Sequence, residues 1–260
     1  MRGRGRGADY PGMNTSLTPL DAAAAVLHDP VLPAGDDERF VGFGVMGLPF
    51  TSGHYLALRH FPVTSFSPGY RSVWHRDPQG RWTFYATTPG PQSCARYFSS
   101  VTRNDAVQCE IDVAWVTPWS LAVVIPGLLE WHIDIGTTVA TRLMSTVGER
   151  LPAGVWTNRA ALSVLGQAAG ALLRAGQVRL AGTAPNGQRF MIAPARVWAV
   201  AQSRAVLRGV DLGPVGPLRR QLRLAGFRPP QRGLFVVGSG HFETFDPGRH
   251  DAVNGTVPIR

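Results

Sequence analysis

From Arg39 onward, short apolar segments alternate with glycine, proline and other turn residues, and this pattern predicts a mainly β protein. The clearest hairpin is Tyr70–Thr87, because Asp77–Gly80 (DPQG) is a strong turn signal between two arms that carry aromatic side chains. The predicted strands are Phe40–Met46, His54–Phe61, Tyr70–Arg76, Trp82–Thr87, Gln108–Val116, Ser120–Ile125, Leu128–Ile135, Gln177–Thr183, Arg189–Ile192, Arg196–Gln202, Ala205–Val210, Leu218–Leu224, Gly233–Gly238 and His241–Phe245.

Helical periodicity occurs in two places. A short helix is predicted over Pro19–Leu27, because Thr18 is a good N-cap and proline suits the first helical position. Residues 137–175 predict a pair of helices, since apolar side chains recur at helical spacing from Val139 onward and Gly176 ends the second helix.

Many short strands interrupted by one helical pair predict an antiparallel barrel or two curved sheets, a lipocalin-like architecture. Barrels of this kind often hold one small apolar ligand. Residues 18–260 are expected to form a single β-rich domain, with residues 36–136 and 177–246 as two halves on either side of the helical pair. Residues 1–17 are low in complexity and basic, which predicts a disordered leader, and translation could begin at Met1 or Met13.

Charge is unevenly distributed along the chain. All 26 basic residues are arginine, and with 17 acidic residues they give a net charge of +9. Residues 176–232 contain ten arginines and one acid, Asp211, while the remaining 16 arginines are balanced by 16 acids. This basic region, residues 176–232, therefore holds the whole excess. It would attract an anionic ligand, nucleic acid or anionic lipid, unless it is simply a solvated outer face.

Several classes of protein are excluded by composition and motifs. Two cysteines cannot build a disulfide scaffold or a four-thiolate zinc site, and we expect both to be reduced thiols in a cytoplasmic protein. No apolar run reaches the roughly 20 residues that cross a bilayer. The segment Gly42–Gly47 matches G-x-G-x-x-G, but a β-like run follows it, so we interpret its glycines as close-packed or bulged strand positions. We predict neither a cofactor nor a metal.

One strand carries candidate acid–base residues. Side chains alternate along a strand, so Glu130, His132 and Asp134 share one face while Trp131 lies on the other. If the strand containing Glu110 and Asp112 pairs with it, four carboxylates and one histidine would gather in a small area. Such a group could supply a general acid and base. The alternative is an ordinary amphipathic strand with its charges in water.

A ligand cavity would draw on tryptophans and on the basic region. The candidate ligand-binding residues are Trp74, Trp82, Trp131, Arg204, Arg208, Arg219 and Arg223. Guanidinium groups bind carboxylates and phosphates through paired hydrogen bonds, so these arginines could hold an anionic end. If they do not face a cavity, they form a solvated sheet edge.

Two segments resemble those of an uncharacterised β-rich protein family of high-GC bacteria. They are Gly69–Tyr85 (GYRSVWHRDPQGRWTFY) and Pro185–Phe190 (PNGQRF). The outline of strands, two helices and strands is also similar to lipocalin-like, hydroxyneurosporene-synthase-type proteins. The resemblance implies a β fold and assigns no activity to particular residues.

These observations predict a protein that binds a small hydrophobic or amphipathic molecule in a β-enclosed cavity. This molecule could carry an anionic group. Any chemistry would be cofactor-independent hydration, isomerisation or cyclisation, with His132 or a neighbouring carboxylate as proton donor. The alternative function is an interaction module whose basic region binds nucleic acid or an anionic membrane. The arginines are spread through β segments without a recognition helix, which argues against nucleic acid.

Overall fold

The computed structural model describes residues 17–98, 106–252 and 257–258, and within them fourteen strands form one mixed sheet. The strands are β1 (Glu38–Val45), β2 (Leu48–Pro49), β3 (Tyr55–Thr64), β4 (Pro68–Arg76), β5 (Trp82–Ala86), β6 (Ala106–Gln108), β7 (Asp112–Thr117), β8 (Ser120–Ile125), β9 (Leu129–Gly136), β10 (Ala181–Thr183), β11 (Arg189–Leu207), β12 (Val210–Asp211), β13 (Leu234–Phe242) and β14 (Val257–Pro258). The helices are α1 (Pro19–His28), α2 (Ala95–Phe98), α3 (Val139–Arg150), α4 (Ala153–Trp156) and α5 (Arg159–Leu172), with a 3-10 turn at Gly90–Gln92. The predicted mainly β class is confirmed.

The main path of the sheet runs in the order β14, β6, β5, β4, β3, β1, β13, β11, β9, β8, β7, and β2, β10 and β12 pair at its sides. The pairs β5–β6 and β6–β14 are parallel, and the others along the path are antiparallel. At its centre β1 pairs with β13, so strands from both predicted halves belong to one sheet. The predicted leader lies outside the described residues except for Leu17 and stays a prediction.

Local sequence signals account for several elements. Thr18 and Asp21 form a capping box at the start of α1, as the N-cap signal predicts. The hairpin of β4 and β5 has its turn at the predicted position, where Asp77 accepts a hydrogen bond from the backbone of Arg81 at 2.9 Å. Three helices, α3 to α5, occupy the region in which we predicted two.

The longest strand, β11, replaces three predicted segments. We expected breaks at Pro194 and near Ser203, but the strand continues from Arg189 to Leu207. Its register with β13 shifts between Pro194 and Arg196, so the proline lies at a bulge where no ladder hydrogen bond is required. The strand predicted over Leu218–Leu224 was wrong, because this segment is an irregular loop with a single β-bridge, Leu224 to Phe227.

Glycines let β1 approach β3 closely. A Cβ atom on Gly42 would collide with the carbonyl oxygen of His60, and one on Gly44 would collide with that of Leu58. The register of the two strands shifts between Val41 and Phe43 at the same place. The interpretation as close-packed strand glycines at a bulge therefore holds for Gly42 and Gly44, whereas Gly47 lies between β1 and β2 and is packed against the Tyr55 hydroxyl.

The sheet has apolar clusters on both faces. Along β3, Leu56 and Leu58 join a cluster that contains Trp131, while Tyr55 and Ala57 join a second, aromatic cluster. This alternation is expected of a strand that is buried on both sides. A third, smaller cluster that includes Leu173 lies where α5 covers β11 and β13, next to the aromatic one.

Helix α3 is fixed to the bulge of β11. The hydroxyl of Ser145 accepts a hydrogen bond from the backbone N–H of Val197 at 2.9 Å and donates one to its carbonyl at 3.1 Å. Gly148 lies so close to the carbonyls of Pro194 and Ala195 that a side chain would collide with them. The helical region is thereby held over the sheet, where it covers one end of a cavity.

Replacement of Gly44 by alanine tests the close approach of β1 to β3. We expect Gly44→Ala to lower the free energy of unfolding by at least about 2 kcal/mol, because backbone atoms of β3 must move. The matched control is Gly154→Ala in α4, where an added Cβ meets no atom within 4 Å. Urea unfolding of both variants checks this, and equal midpoints would contradict it.

Candidate ligand-binding cavity

An apolar cavity of about 140 Å³ lies between the sheet and the helical region. Aromatic side chains from β1, β3, β4 and α2 form much of its wall, and Met144 of α3 and Leu173 after α5 close another side. The aromatic lining residues are Phe40, Phe43, Phe61, Tyr70, Trp74, Tyr97, Phe98, Phe227 and Phe242. None of the described residues that line the cavity carries a carboxylate or an imidazole. The space therefore suits an apolar body.

A single buried cation, Arg59 of β3, lines this apolar space. It is only 5% exposed, and its guanidinium lies 4.6 Å from the centroid of the Trp74 ring. Nη1 donates to the carbonyls of Val45 and Leu58, both at 2.8 Å, and Nη2 donates to that of Met46 at 3.3 Å. Within the described part of the chain, no carboxylate forms an ion pair with Arg59, and burial lowers the pKa of its guanidinium.

This arrangement leaves hydrogen-bonding capacity on Arg59. A guanidinium has five N–H groups, and the three carbonyl contacts use three of them. An unpaired charge in a low-dielectric site costs several kcal/mol, whereas pairing it with an anion recovers much of that cost. Arg59 therefore places a positive charge without an ion-pair partner among the described residues in the wall of the cavity.

Two neutral polar groups lie beside this cation. The Tyr70 hydroxyl and the Cys94 sulfur are 3.0 Å apart, and both side chains line the cavity. Burial raises the pKa of Tyr70 well above its usual value, and it also raises that of Cys94 although Tyr70 and Arg59 act in the opposite direction. Both groups are therefore protonated at neutral pH, and each can donate a hydrogen bond.

The wall formed by α2 is held by a buried polar network. Glu38 accepts hydrogen bonds from Arg96 and the Tyr97 hydroxyl, both at 2.7 Å, and one from Gln188 at 3.2 Å. Asn186 in turn donates to Gln188 at 2.6 Å. A four-residue helix has little stability of its own, so these contacts fix Tyr97 and Phe98 against the cavity.

Further positive charge lies where the cavity reaches the surface. Arg179 and Arg228 both line it, and Arg179 is exposed, which places the opening toward solvent on this side. Burial lowers the pKa of Arg228, and the positive charges of Arg179 and Arg223 lower it further. The opening is therefore electropositive.

Of the residues predicted to bind a ligand, only Trp74 lines the cavity. Trp74 lines the cavity, Trp82 belongs to the same aromatic cluster without lining it, and Trp131 lies in the cluster on the opposite face and donates to Ser203 at 2.8 Å. Arg204, Arg208, Arg219 and Arg223 are exposed and none lines the cavity. Arg204 pairs with Asp211 at 2.9 Å.

The predicted acid–base residues lie away from the cavity. Glu130, His132 and Asp134 alternate with buried neighbours and are exposed, as the amphipathic-strand alternative predicts. Strand β8 lies between β7 and β9, so the pairing that would have gathered Glu110 and Asp112 with them was wrong. Asp134 accepts a hydrogen bond from Ser120 at 2.6 Å. Within the described residues this set is a solvated strand face.

Sequence reasoning missed Arg59, although a signal was present. On its own face of β3, Arg59 lies between Ala57 and Phe61, so a charged residue interrupts an apolar face. Tyr70, Cys94 and Arg228 carried no such signal, because only the fold brings them to the same cavity.

A histidine pair forms a second polar feature. His54 and His75 are hydrogen-bonded, Nδ1 to Nε2, at 2.9 Å, and their rings are stacked. Among the described residues, no group of three or more His, Cys, Asp or Glu side chains is arranged to hold a metal ion. Burial lowers the pKa of His75 to about 4, and burial together with the charge of Arg71 lowers that of His60 to about 4.

Because the pKa values of His60 and His75 are lowered, we expect the protein to lose stability in acid. The unfolded chain takes up protons as the pH falls below 6.5, whereas the folded protein does not protonate His60 and His75 until about pH 4. Between these values the free energy of unfolding should fall by on the order of 2 kcal/mol for each histidine. Urea unfolding at several pH values checks this. His60→Gln and His75→Gln should flatten the dependence, and an unchanged dependence in both variants would contradict this prediction.

The two cysteines are free, and we expect both thiols to react slowly in the native protein. Burial raises the pKa of Cys109 from 9.0 to about 11, so its thiolate fraction at pH 7.5 falls roughly a hundredfold. Iodoacetamide labelling of Cys94→Ser and Cys109→Ser variants, native and in urea, measures each thiol separately. Labelling of either native thiol at the rate of the unfolded chain would contradict the burial.

Comparison with known proteins finds a likeness in fold to a solved structure. No protein-family model matches the chain, and no curated protein matches it. A crystal structure of acetoacetate decarboxylase from Legionella pneumophila aligns over 94% of this chain and 99% of that chain, with 10% identity and a TM-score of 0.37. A score this low transfers no residue role to this chain. No helix in the described residues is long and apolar enough to span a membrane.

Proposed function

We propose that this protein binds a small apolar carboxylate in the cavity, with Arg59 pairing with the carboxylate group. The observation that carries the proposal is a guanidinium buried among aromatic side chains without an acidic partner among the described residues. An anionic ligand would take up its unused donors and balance its charge, while the apolar wall would bury the rest of the molecule.

The volume limits the size of the apolar body. An engineered protein cavity of about 150 Å³ holds one benzene molecule, so a space of about 140 Å³ suits a ring or a branched chain of roughly six to eight carbons. Larger ligands would have to extend through the opening near Arg179. This range favours short aliphatic or aromatic acids over long-chain lipids held entirely inside.

The lining groups favour binding over acid–base catalysis. The described lining holds no carboxylate or imidazole that could act as a general base, and Tyr70 and Cys94 are held protonated. The chain contains no lysine, so no lysine side chain can form an imine with a carbonyl substrate. Because burial raises the pKa of both groups, they are suited to donating hydrogen bonds to a bound ligand.

Calorimetric titration tests the proposal. Hexanoate and phenylacetate should bind in preference to the neutral hexanamide and phenylacetamide. Arg59→Met should weaken binding of the acids roughly 10- to 100-fold, because a charge-assisted hydrogen bond is lost, and should remove their advantage over the amides. Arg204→Met, which removes an exposed arginine, is the matched control and should leave both affinities unchanged.

Protection of Cys94 gives an independent measurement. A ligand in the cavity should slow alkylation of Cys94 and leave that of Cys109 unchanged, because only Cys94 lines the space. Equal binding of acids and amides, or full retention of acid binding in a folded Arg59→Met variant, would refute the role of Arg59. Circular dichroism establishes that the variant is folded.

A further inference from the structure

Two arginines, Arg179 and Arg228, line the opening of the cavity, and neither has an acidic partner among the described residues. Arg179 and Arg223 each lie close enough to Arg228 for their positive charges to repel that of Arg228. None of them forms an ion pair with a described carboxylate, although Arg189, Arg196 and Arg204 of the same basic region do. The positive charges of these three arginines are therefore not balanced by ion pairs within the described residues.

The loop that carries Arg223 and Arg228 is held in a defined position. Gln221 donates to the carbonyls of Gln177 and Pro229 at 2.8 and 2.9 Å and accepts a hydrogen bond from the Gln177 backbone at 2.8 Å. The backbone of Gly226 donates to Thr183 at 2.9 Å. These contacts join the loop to the segment that carries Arg179, so the arginines are brought together before any ligand arrives.

Arg228 also has a donor without a partner. Its Nη1 donates to the carbonyls of Ala225 at 2.7 Å and Phe227 at 3.3 Å, which fixes the guanidinium at the cavity wall. Its Nε is buried and has no hydrogen-bond partner among the described residues. A buried, unused donor on a fixed cation is costly unless an acceptor arrives with a ligand.

We propose that the ligand has two anionic groups, one bound by Arg59 inside the cavity and a second carboxylate or phosphate bound by Arg228 and Arg179 at the opening. This inference rests on the proposed function and names its ligand class, an apolar molecule with oxyanions at both ends. The cavity between the two positions is lined mainly by apolar side chains, so the body that joins the oxyanions is apolar.

A chain-length series tests this inference by calorimetry. Straight-chain monocarboxylates from six to twelve carbons are compared with α,ω-dicarboxylates of the same lengths, and ω-phosphonocarboxylates distinguish phosphate from carboxylate at the opening. A second oxyanion on an apolar chain ordinarily weakens burial, because it must lose water. We expect instead an at least tenfold gain in affinity within a narrow range of lengths, set by the distance between the two arginine positions.

Substitution of individual arginines distinguishes the oxyanion-binding position inside the cavity from the one at its opening. Arg228→Met should remove the gain from the second oxyanion and so weaken dicarboxylate binding more than monocarboxylate binding, whereas Arg59→Met should weaken both series. Because Arg228 also holds its own loop, Arg179→Met provides a second test at an exposed position, and it should reduce the gain. Arg219→Met, exposed on the same loop and outside the cavity lining, is the matched control.

The outcomes distinguish failure of this inference from failure of the proposed function. Monocarboxylates that bind through Arg59 while dicarboxylates and phosphonocarboxylates bind more weakly at every length would overturn the inference and leave the proposed function intact. A gain that survives Arg228→Met and Arg179→Met would also overturn it. Absence of carboxylate binding in both series would overturn the two proposals together.

Discussion

The close contact between β1 and β3 determines the geometry of the cavity. Gly42 and Gly44 allow the two backbones to touch where their register shifts. This brings the carbonyl of Val45 within 2.8 Å of the Arg59 guanidinium, which also holds the carbonyl of Leu58. The glycine motif that looks like a nucleotide-binding signature is therefore a packing device, and what it positions is a buried cation.

The sequence was most informative about local structure. The N-cap at Thr18, the turn at Asp77–Gly80 and the alternation around Trp131 each depend on neighbouring residues, and each is seen in the structure. The long strand β11 was broken up in prediction because proline ordinarily ends a strand, while here a bulge at Pro194 accommodates it.

The cavity itself could not be read from the sequence, because its residues come from distant segments. Arg59, Cys94 and Arg228 meet only after the sheet, α2 and the C-terminal loop have packed. Reading both faces of β3 with equal weight would have identified Arg59 as a charge on an apolar face. The direct pairing that would have gathered Glu110 and Asp112 with His132 does not occur, since strand order decides which side chains become neighbours and alternation alone does not fix it.

The fold changes how much of the positive charge in the basic region is unpaired. Two arginines of the basic region pair with acids outside it, Arg189 with Glu243 at 3.0 Å and Arg196 with Glu149. The formal excess over residues 176–232 is thus partly neutralised by the fold, and Arg179 and Arg228 at the cavity opening are among its arginines that form no ion pair with a described carboxylate. The distribution of charged residues along the sequence identifies the basic region, and the ion pairs show which of its arginines are neutralised in the structure.

The pairing of β1 with β13 has a consequence for how the protein is made. Glu38 is opposite Phe242, so the central ladder joins residues that are separated by most of the chain. Loop closure over such a distance is entropically costly, and nonlocal ladders of this kind form slowly. During synthesis, the aromatic wall from β3 and β4 emerges long before β13 can cover it. The nascent chain therefore exposes this apolar surface until β13 has been synthesised.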